Sequence, residues 1–284
     1  MCTICGFGLL KGHKIRNDKA MRKLISRLIM KNTGFNTSAT GVAFGCEEEV
    51  RVVKQNIPGG RFVESSNYLN AGIRRVVLPM PSHPDIINTR PWPGDLSTVL
   101  GHCRLKTKGE ATNNANNHPI ICSNVVGIHN GVIYNDDILF NKFGKELVRI
   151  GGVDSEIIFS LIDYYSRNTD VDQAIKIALE DIQGSLACAM LHREFPHSIW
   201  LFRRTAPCEV YIYKEVGLIG WSTNGNNLKG AVLEIEREEK DFLLGPETEI
   251  DFPRNTGMRI DLDTHKLREF EVEGRVFTRS GGAF

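Results

Sequence analysis

The pattern of apolar and polar residues changes along the chain: residues 2–10 are a mostly apolar run typical of a buried strand, the middle has a helical period, and after Gly184 the residues alternate with a period of two. Residues 18–31 carry apolar side chains three and four positions apart with basic residues between them, which is typical of a helix with one buried face. Further helices are predicted over residues 62–69, 136–143, 155–167, 171–182 and 226–234. Strands are predicted over residues 2–10, 40–44, 50–54, 98–103, 123–129, 132–134, 185–191, 198–203, 209–213, 218–222, 242–250, 257–262 and 267–272.

The order of these elements indicates the fold class. Strands come first, helices lie in the middle, and a strand meander closes the chain, which is typical of an α+β fold with mostly antiparallel sheet and helices on its outer faces. Five prolines between residues 79 and 94 exclude a long helix or a central strand there. We expect this segment to form an exposed loop inserted into the domain, and we expect the last ten residues to fray.

The composition is that of an ordinary globular protein. The 284 residues are 41% apolar and 24% charged, which excludes a mainly disordered chain, a collagen-like repeat and a coiled coil. The 35 basic and 34 acidic residues leave a net charge of +1, so no electrostatic footprint points to nucleic acid or to an acidic membrane. No apolar stretch approaches the roughly 18 residues of a membrane helix, and no signal peptide is recognisable. We therefore expect a cytoplasmic protein whose seven cysteines are mostly reduced.

Cys2 is the residue whose position is most unusual. Methionine aminopeptidases remove Met1 when the second residue is small, which would leave Cys2 with both a thiol and a free α-amine. An α-amine has a pKa of about 7.7–8.0, so it can act as general base for the thiol of the same residue. Cys2 could instead be a plain strand cysteine, or form a redox or metal C-x-x-C with Cys5. The latter is disfavoured because the pair lies in an apolar strand, has no second pair, and would point to opposite faces.

The segment 101–107 contains a second candidate. Arg104 falls at the end of a predicted strand, where it could grip a carboxylate with two parallel hydrogen bonds or form a surface ion pair. Three histidines, His102, His118 and His129, could suggest a metal. Their spacing fits no ligand pattern, so core or loop histidines are the better interpretation.

Two further motifs each allow two interpretations. The dipeptide Asn130-Gly131 between two predicted strands is typical of a two-residue hairpin turn. The Asn amide beside the Gly backbone N–H also offers two donors for a developing oxyanion. Asp154 is predicted to cap the helix that begins at Ser155, and its carboxylate could also hold an ammonium group of a ligand.

Together these segments resemble the class II glutamine amidotransferases, the cysteine N-terminal-nucleophile hydrolases. The family pattern is an N-terminal Cys, then Gly-His-Thr-Arg-x-x-Thr, His-Asn-Gly and Asp-Thr-Glu. The matching segments, in the same order, are Met1-Cys2, Gly101-His102-Cys103-Arg104-Leu105-Lys106-Thr107, His129-Asn130-Gly131 and Asp154-Ser155-Glu156. Asn117-His118-Pro119 also resembles the family's Asn-Ala-His-Pro. The resemblance spans roughly residues 2–227.

The resemblance implies a fold and a reaction. The fold is a four-layer αββα sandwich, in which two antiparallel sheets pack face to face with helices outside. Cys2 is the nucleophile, and its own α-amine is the base and later the acid. Asn130 and the N–H of Gly131 form the oxyanion hole. The reaction is hydrolysis of the L-glutamine side-chain amide to glutamate and ammonia through a thioester, with no cofactor and no metal.

The resemblance also assigns the residues that recognise the amino-acid head of glutamine. Arg104 binds the α-carboxylate, Asp154 binds the α-ammonium, and Thr107 adds a hydroxyl contact. The chain departs from the family near this site. The Arg and Asp of the family's Arg-Gly-x-Asp-x-x-Gly are missing in residues 33–41, and Leu105 and Lys108 stand where sugar-phosphate-linked members have Trp and His.

We treat residues 2–284 as one glutamine amidotransferase domain, with a catalytic core over residues 2–228 and a strand-rich extension over residues 229–284. Family members usually fuse this domain to a synthase, and the 57 residues after Asn227 are too few for one. We therefore expect a separate ammonia-accepting synthase as partner. Two alternatives stay open: an N-terminal-nucleophile hydrolase of another amide, and a catalytically silent glutamine-sensing module.

Overall fold

A computed structural model describes residues 2–13, 18–46, 49–69 and 96–272 of the chain. The predicted loop over residues 79–94 and the predicted fraying of the last ten residues lie outside these ranges. Within the described residues the strands are, in chain order, β1 (Thr3–Leu9), β2 (Ala39–Cys46), β3 (Val50–Gln55), β4 (Leu96–Arg104), β5 (Ile120–Ile121), β6 (Val125–Ile133), β7 (Gly184–His192), β8 (Phe195–Arg203), β9 (Glu209–Tyr213), β10 (Leu218–Ser222), β11 (Glu247–Ile250), β12 (Thr256–Asp261) and β13 (Lys266–Glu271).

These strands form two antiparallel sheets. The first has the order β11-β9-β10-β1-β4-β2-β3, and the second has the order β13-β12-β8-β7-β6-β5. The described helices are α1 (Asp18–Thr33), α2 (Gly59–Glu64), α3 (Ser66–Leu69), α4 (Asp136–Phe143), α5 (Glu156–Tyr165), α6 (Val171–Asp181) and α7 (Gly225–Glu238). Short 3-10 turns lie at Asn114–Asn116 and Gly144–Glu146.

The apolar side chains form three layers of core, which separate four layers of backbone. One core packs α1, α2 and α7 against the outer face of the first sheet, and another packs α4, α5 and α6 against the outer face of the second. The third lies between the two sheets and contains residues such as Ile4, Leu100 and Ile128. This arrangement confirms the predicted four-layer αββα sandwich.

Alternation along β1 explains why this strand lies at the centre of the sandwich. Cys5 and Phe7 point into the core beneath the outer helices, whereas Ile4 points into the core between the sheets. Gly8 also faces the second sheet, because a Cβ built on it would lie 2.4 Å from the Ile199 side chain. Small residues on the inner face of β1 therefore let the two sheets approach closely around the start of the chain.

The predicted hairpin at Asn130-Gly131 is wrong. Residues 125–133 form one continuous strand, β6, which pairs with β7 along its whole length, with Asn130 opposite Ala187 and Gly131 opposite Leu186. Pairing with a long neighbouring strand overrides the local turn preference of Asn-Gly, since β7 offers ladder partners along the whole segment. The dipeptide therefore lies inside a strand of the second sheet.

Smaller differences concern element boundaries. The helix predicted over residues 62–69 is two short helices, α2 and α3, and the strand predicted over residues 242–250 is confined to Glu247–Ile250. The two-residue strand β5 had no sequence prediction. Beyond residue 228, β11 pairs with β9 in the first sheet, and β12 pairs with β8 in the second. In the described ranges, no helix is both long enough and apolar enough to span a bilayer.

Candidate active site

The site begins where the first sheet starts. Cys2 directly precedes β1, and Arg104 is the last residue of the neighbouring strand β4. Thr3 lies opposite Cys103 in this antiparallel pair. Continuing the register by one residue places Cys2 opposite Arg104. Strand pairing therefore brings together two residues that are 102 positions apart in the sequence.

Cys2 is half-buried. Its Sγ lies 3.4 Å from the backbone oxygen of Leu105, to which the S–H can donate. Burial raises the pKa of the Cys2 thiol, the positive charge of Arg104 acts in the opposite direction, and the carboxylate of Asp154 raises the pKa further. The thiol is therefore neutral at rest, and nucleophilic chemistry at this sulfur needs a base.

Arg104 is almost completely buried, and neutral oxygens surround its guanidinium. Nη1 donates to the side-chain oxygen of Asn117 at 2.7 Å, and Nη2 donates to the backbone oxygens of Lys108 at 2.5 Å and Gly109 at 2.7 Å. A buried cation normally pairs with a carboxylate, because desolvation of an unpaired charge is costly. None of the described carboxylates forms an ion pair with Arg104, so its charge is available to an anionic ligand.

Asn130 reaches the site from the second sheet. Its Nδ2 lies 3.5 Å from the hydroxyl oxygen of Thr223, and this oxygen also accepts a 2.9 Å hydrogen bond from the backbone N–H of Ile4. The backbone N–H of Thr223 donates in turn to the oxygen of Ile4 at 2.8 Å. The amide of Asn130 is thereby held against the strand that carries Cys2.

Gly131 occupies a position that only glycine can fill. Its φ is 147°, and a Cβ would lie 1.9 Å from the backbone oxygen of Ser185 and 2.7 Å from Nε2 of His129. A side chain here would push β6 away from β7. Glycine at this position therefore lets β6 and β7 pack closely beside Asn130.

Asp154 is buried, and it does not cap a helix as predicted. The helix α5 begins at Glu156, and its N-cap residue Ser155 makes no side-chain capping bond. Oδ2 of Asp154 instead accepts from the backbone N–H of Ile133 at 2.7 Å, and Oδ1 accepts from the Ser155 hydroxyl at 3.4 Å. The Asp154 carboxylate points toward the end of β6 because the Ile133 N–H binds it in place of a helix N-terminus. The carboxylate oxygens keep further acceptor capacity for a cation.

Thr107 lies apart from the other predicted residues. It is exposed in the loop that follows Arg104, and its hydroxyl makes no hydrogen bond to any other described residue. The structure thus brings Cys2, Arg104, Asn130 and Asp154 to one end of the sandwich. It leaves Thr107 on the loop above them.

Three buried histidines lie beneath the site. The rings of His102 and His118 stack at 4.0 Å, and His118 lies 6.4 Å from His129. Nε2 of His102 bonds to the backbone oxygen of His129, and Nδ1 of His129 pairs with the Ser155 hydroxyl at 2.7 Å. No group of three or more His, Cys, Asp or Glu side chains in the described ranges has an arrangement that could hold a metal.

Sequence reasoning missed the residues that hold the site together. Thr223 follows β10, and Asn117 ends a polar loop, so neither belongs to an element with a strong periodic signal. Ser155 joins His129 to Asp154 through its hydroxyl. The runs Trp221-Ser222-Thr223 and Asn117-His118-Pro119 were the available signals, but a run of letters does not indicate which atom contacts which.

Comparison with curated sequences places the chain beside one kind of enzyme. The chain is 31% identical over 150 residues to the glutamine–fructose-6-phosphate aminotransferase (isomerizing) of Chlamydia pneumoniae. The aligned segment covers 50% of this chain and 24% of that protein. It is 32% identical over 210 residues to the Chlamydia trachomatis enzyme of the same name, which covers 64% and 33%. The chain spans only about a fifth to a third of the length of such relatives. No protein-family model matches the chain.

Solved structures give the same fold. Glutamine phosphoribosylpyrophosphate amidotransferase from B. subtilis, complexed with ADP and GMP, superposes with a TM-score of 0.63 at 13% identity, covering 96% of this chain and 49% of that one. A structure described as the allosteric regulatory enzyme of purine biosynthesis gives a TM-score of 0.64 at 12% identity, with the same coverage. At these identities the likeness concerns the fold alone.

We expect the free energy of unfolding to fall as the pH drops below about 6.5. Burial lowers the pKa of His102 to about 3, and it also lowers the pKa values of His118 and His129. Between the ordinary histidine pKa of about 6.5 and these lower values, the unfolded chain binds more protons than the folded one. Each histidine then contributes a loss of roughly 1.4 kcal/mol per pH unit. Urea unfolding at a series of pH values measures the slope.

The variant His118→Asn isolates this contribution. Its slope should be smaller than that of the wild type by roughly 1.4 kcal/mol per pH unit, whatever its absolute stability. His265→Asn, which removes an exposed histidine ring, is measured alongside it as the comparison variant. An unchanged slope in His118→Asn would show that this ring is protonated equally in both states.

Proposed function

Since the chain belongs to the class II glutamine amidotransferases, we propose that it hydrolyses the side-chain amide of L-glutamine to glutamate and ammonia with Cys2 as the nucleophile. The observation that carries the assignment of residues is the convergence of the half-buried Cys2 with the buried Arg104, Asn130 and Asp154 at one end of the sandwich. The Cys2 thiol feels the charges of both Arg104 and Asp154, and Asn130 is tied to the strand that follows Cys2.

The proposed reaction starts from a chain that has lost Met1. The α-amine of Cys2 takes the thiol proton, and the thiolate attacks the amide carbon of glutamine. The oxygen of that amide becomes an oxyanion, which Nδ2 of Asn130 and the N–H of Gly131 stabilise. The ammonium formed on Cys2 returns its proton to the leaving nitrogen, so ammonia departs. Water then hydrolyses the γ-glutamyl thioester to glutamate and regenerates the thiol.

Two side chains of opposite charge are assigned to bind the α-carboxylate and the α-ammonium of glutamine. Arg104 holds the α-carboxylate, because its guanidinium is buried and bound only to neutral oxygens. Asp154 holds the α-ammonium with the acceptor capacity that Ile133 and Ser155 leave free. Thr107 contributes its hydroxyl from the loop above. A peptide amide lacks this pair of free charges, so the pair favours glutamine over other amides.

The domain division and the cellular location are parts of the same proposal. We assign residues 2–284 to one domain with its core over residues 2–228, supported by the way β11, β12 and β13 extend the two sheets.

All seven cysteines are free thiols, which supports a cytoplasmic location because reducing compartments keep thiols unpaired. Limited proteolysis tests the first assignment, since a stable fragment ending near residue 228 would contradict it. Cell fractionation tests the second.

The first prediction concerns covalent labelling of Cys2. Exposure to a diazo-ketone analogue of glutamine should add one equivalent of reagent to the protein, and Cys2→Ala should add none, because the reagent alkylates the nucleophile. Intact mass measures the adduct, and N-terminal sequencing of the same sample should begin at Cys2. Cys122→Ala, which removes another partly exposed thiol, should label like the wild type.

Other results would favour other functions. A folded wild-type protein that takes up no reagent indicates a silent glutamine-sensing module. A labelled protein that cleaves a peptide or acylated amine faster than glutamine indicates a hydrolase of another amide. Full turnover by a protein that retains Met1 would contradict the proposed base, because Met1 converts the Cys2 amine into an amide.

The second prediction concerns the oxyanion donor. Asn130→Ala should lower kcat for glutamine by roughly 10²- to 10³-fold, about 3–4 kcal/mol in the barrier, with little change in KM, because the donor acts on charge that develops during the reaction. Steady-state glutaminase kinetics measure both constants. Thr223→Val should show a smaller loss of the same kind, and Thr223→Ser, which keeps the hydroxyl, should restore activity. A change confined to KM would indicate that Asn130 binds the substrate and does not stabilise the oxyanion.

The third prediction concerns the fate of ammonia. We propose a separate synthase as acceptor, because free ammonia is mostly protonated near pH 7 and is then a poor nucleophile. Chain isolated together with its acceptor should therefore hydrolyse glutamine faster than chain purified to homogeneity. Paired rate measurements on the two preparations test this. Equal rates, with no acceptor retained through gentle purification, would indicate an enzyme that simply releases ammonia.

A further inference from the structure

Arg104 is a buried cation that the protein orients without neutralising it. Its side chain is 2% exposed, and its three hydrogen bonds go to the oxygens of Asn117, Lys108 and Gly109, each of which is uncharged. Two of these oxygens belong to the backbone, so no substitution alters them directly. The third, Oδ1 of Asn117, is the only one of the three that a side chain supplies.

Asn117 is itself held rigidly. It is completely buried, and its Nδ2 donates to the backbone oxygen of Ala111 at 2.7 Å and to Oδ1 of Asn114 at 3.0 Å. Its own backbone oxygen accepts a 2.7 Å hydrogen bond from Nζ of Lys54. With both amide hydrogens engaged, the amide cannot rotate freely, and Oδ1 is directed at Nη1 of Arg104.

We propose that Asn117 is a positioning residue, which aims the guanidinium of Arg104 at the α-carboxylate of glutamine while leaving its positive charge uncompensated. This inference rests on the proposed function. Both hydrogens of Nη2 are used by the carbonyls of Lys108 and Gly109, and one hydrogen of Nη1 is used by Asn117. The Nε–H and the second hydrogen of Nη1 have no partner among the described residues, and because they point in different directions, either can donate singly to the substrate carboxylate.

The substitution Asn117→Asp tests whether the neutral charge of Asn117 matters, because aspartate has nearly the same shape but carries a negative charge. A carboxylate 2.7 Å from Nη1 would form a buried ion pair with Arg104 and would compete with the carboxylate of the substrate. Substrate binding would weaken, whereas the thiol and the oxyanion donors would keep their positions. The weaker substrate binding would appear as a higher KM, and the unchanged reacting groups would appear as an unchanged kcat.

The experiment compares Asn117→Asp, Asn117→Ala and Asn113→Asp in the full chain. Asn117→Asp should raise KM for glutamine by roughly 10- to 100-fold with kcat changed much less, and Asn117→Ala, which removes the acceptor without adding charge, should raise KM several-fold. Asn113 is exposed and caps the Ala115 N–H at 3.0 Å, a role that aspartate fills equally well. Asn113→Asp therefore adds the same charge to the same loop and should keep the wild-type KM. Alkylation of Cys2 by iodoacetamide, which has no amino-acid head, should change little in all three.

Each outcome decides the matter. A wild-type KM in Asn117→Asp, a loss confined to kcat, or an equal rise in Asn113→Asp overturns the positioning role. If Asn117→Asp does not fold, Asn117→Ala decides, and a wild-type KM there overturns it as well. A wild-type protein that neither hydrolyses glutamine nor reacts with the diazo-ketone analogue contradicts the proposed function itself. An active wild type with unaffected Asn117 variants contradicts only the inference about Asn117.

Discussion

The hydroxyl of Thr223 joins the two halves of the site. It accepts hydrogen bonds from the backbone of Ile4, in the first sheet, and from the amide of Asn130, in the second. The proposed nucleophile, Cys2, and the proposed oxyanion donor, Asn130, therefore keep their relative positions only while the two sheets stay packed face to face. The small inner residues of β1 serve the same end, since the sheets must approach closely at this edge for one hydroxyl to reach both. The fold matters to the chemistry because it sets this distance.

Burial of opposite charges is the second constraint on the site. Arg104 and Asp154 are both almost completely buried, yet each bonds to backbone groups or neutral side chains rather than to the other. Two desolvated charges that do not neutralise one another raise the energy of the empty site, and a zwitterionic ligand that meets both relieves it. The same burial raises the pKa of the Cys2 thiol, so the sulfur stays protonated until a base acts on it. Burial would thus underlie both the proposed selectivity for a zwitterion and the proposed need for an internal base.

Much of the fold was predictable from the sequence, because its strands and helices have clear periodicity. Helix α1 and strands such as β9 and β10 lie where their alternation indicates. The Asn130-Gly131 hairpin failed for a reason that lies outside the segment, since the competing ladder partner, β7, is more than fifty residues away. The Asp154 cap failed similarly, because the N–H of Ile133 takes the carboxylate. Local preference predicts an element well only where no distant partner offers the same atoms a better bond.

The contacts around Arg104 and Cys2 show which groups surround these residues where the chain departs from the family pattern. Asn36, in the segment that lacks the family's Arg and Asp, donates to the hydroxyl of Thr3 at 3.4 Å, and the N–H of Ser38 donates to the oxygen of Arg104 at 3.0 Å. Lys108 bonds to Asp136 at 2.6 Å while its own backbone oxygen accepts from Arg104. The Asn36 side chain thus contacts β1, the strand that follows Cys2, whereas the Ser38 backbone and the Lys108–Asp136 ion pair support the end of β4 and the loop after Arg104. At the positions that depart from the family pattern, the surroundings of Cys2 and Arg104 are thus supported by this chain's own set of side-chain and backbone bonds.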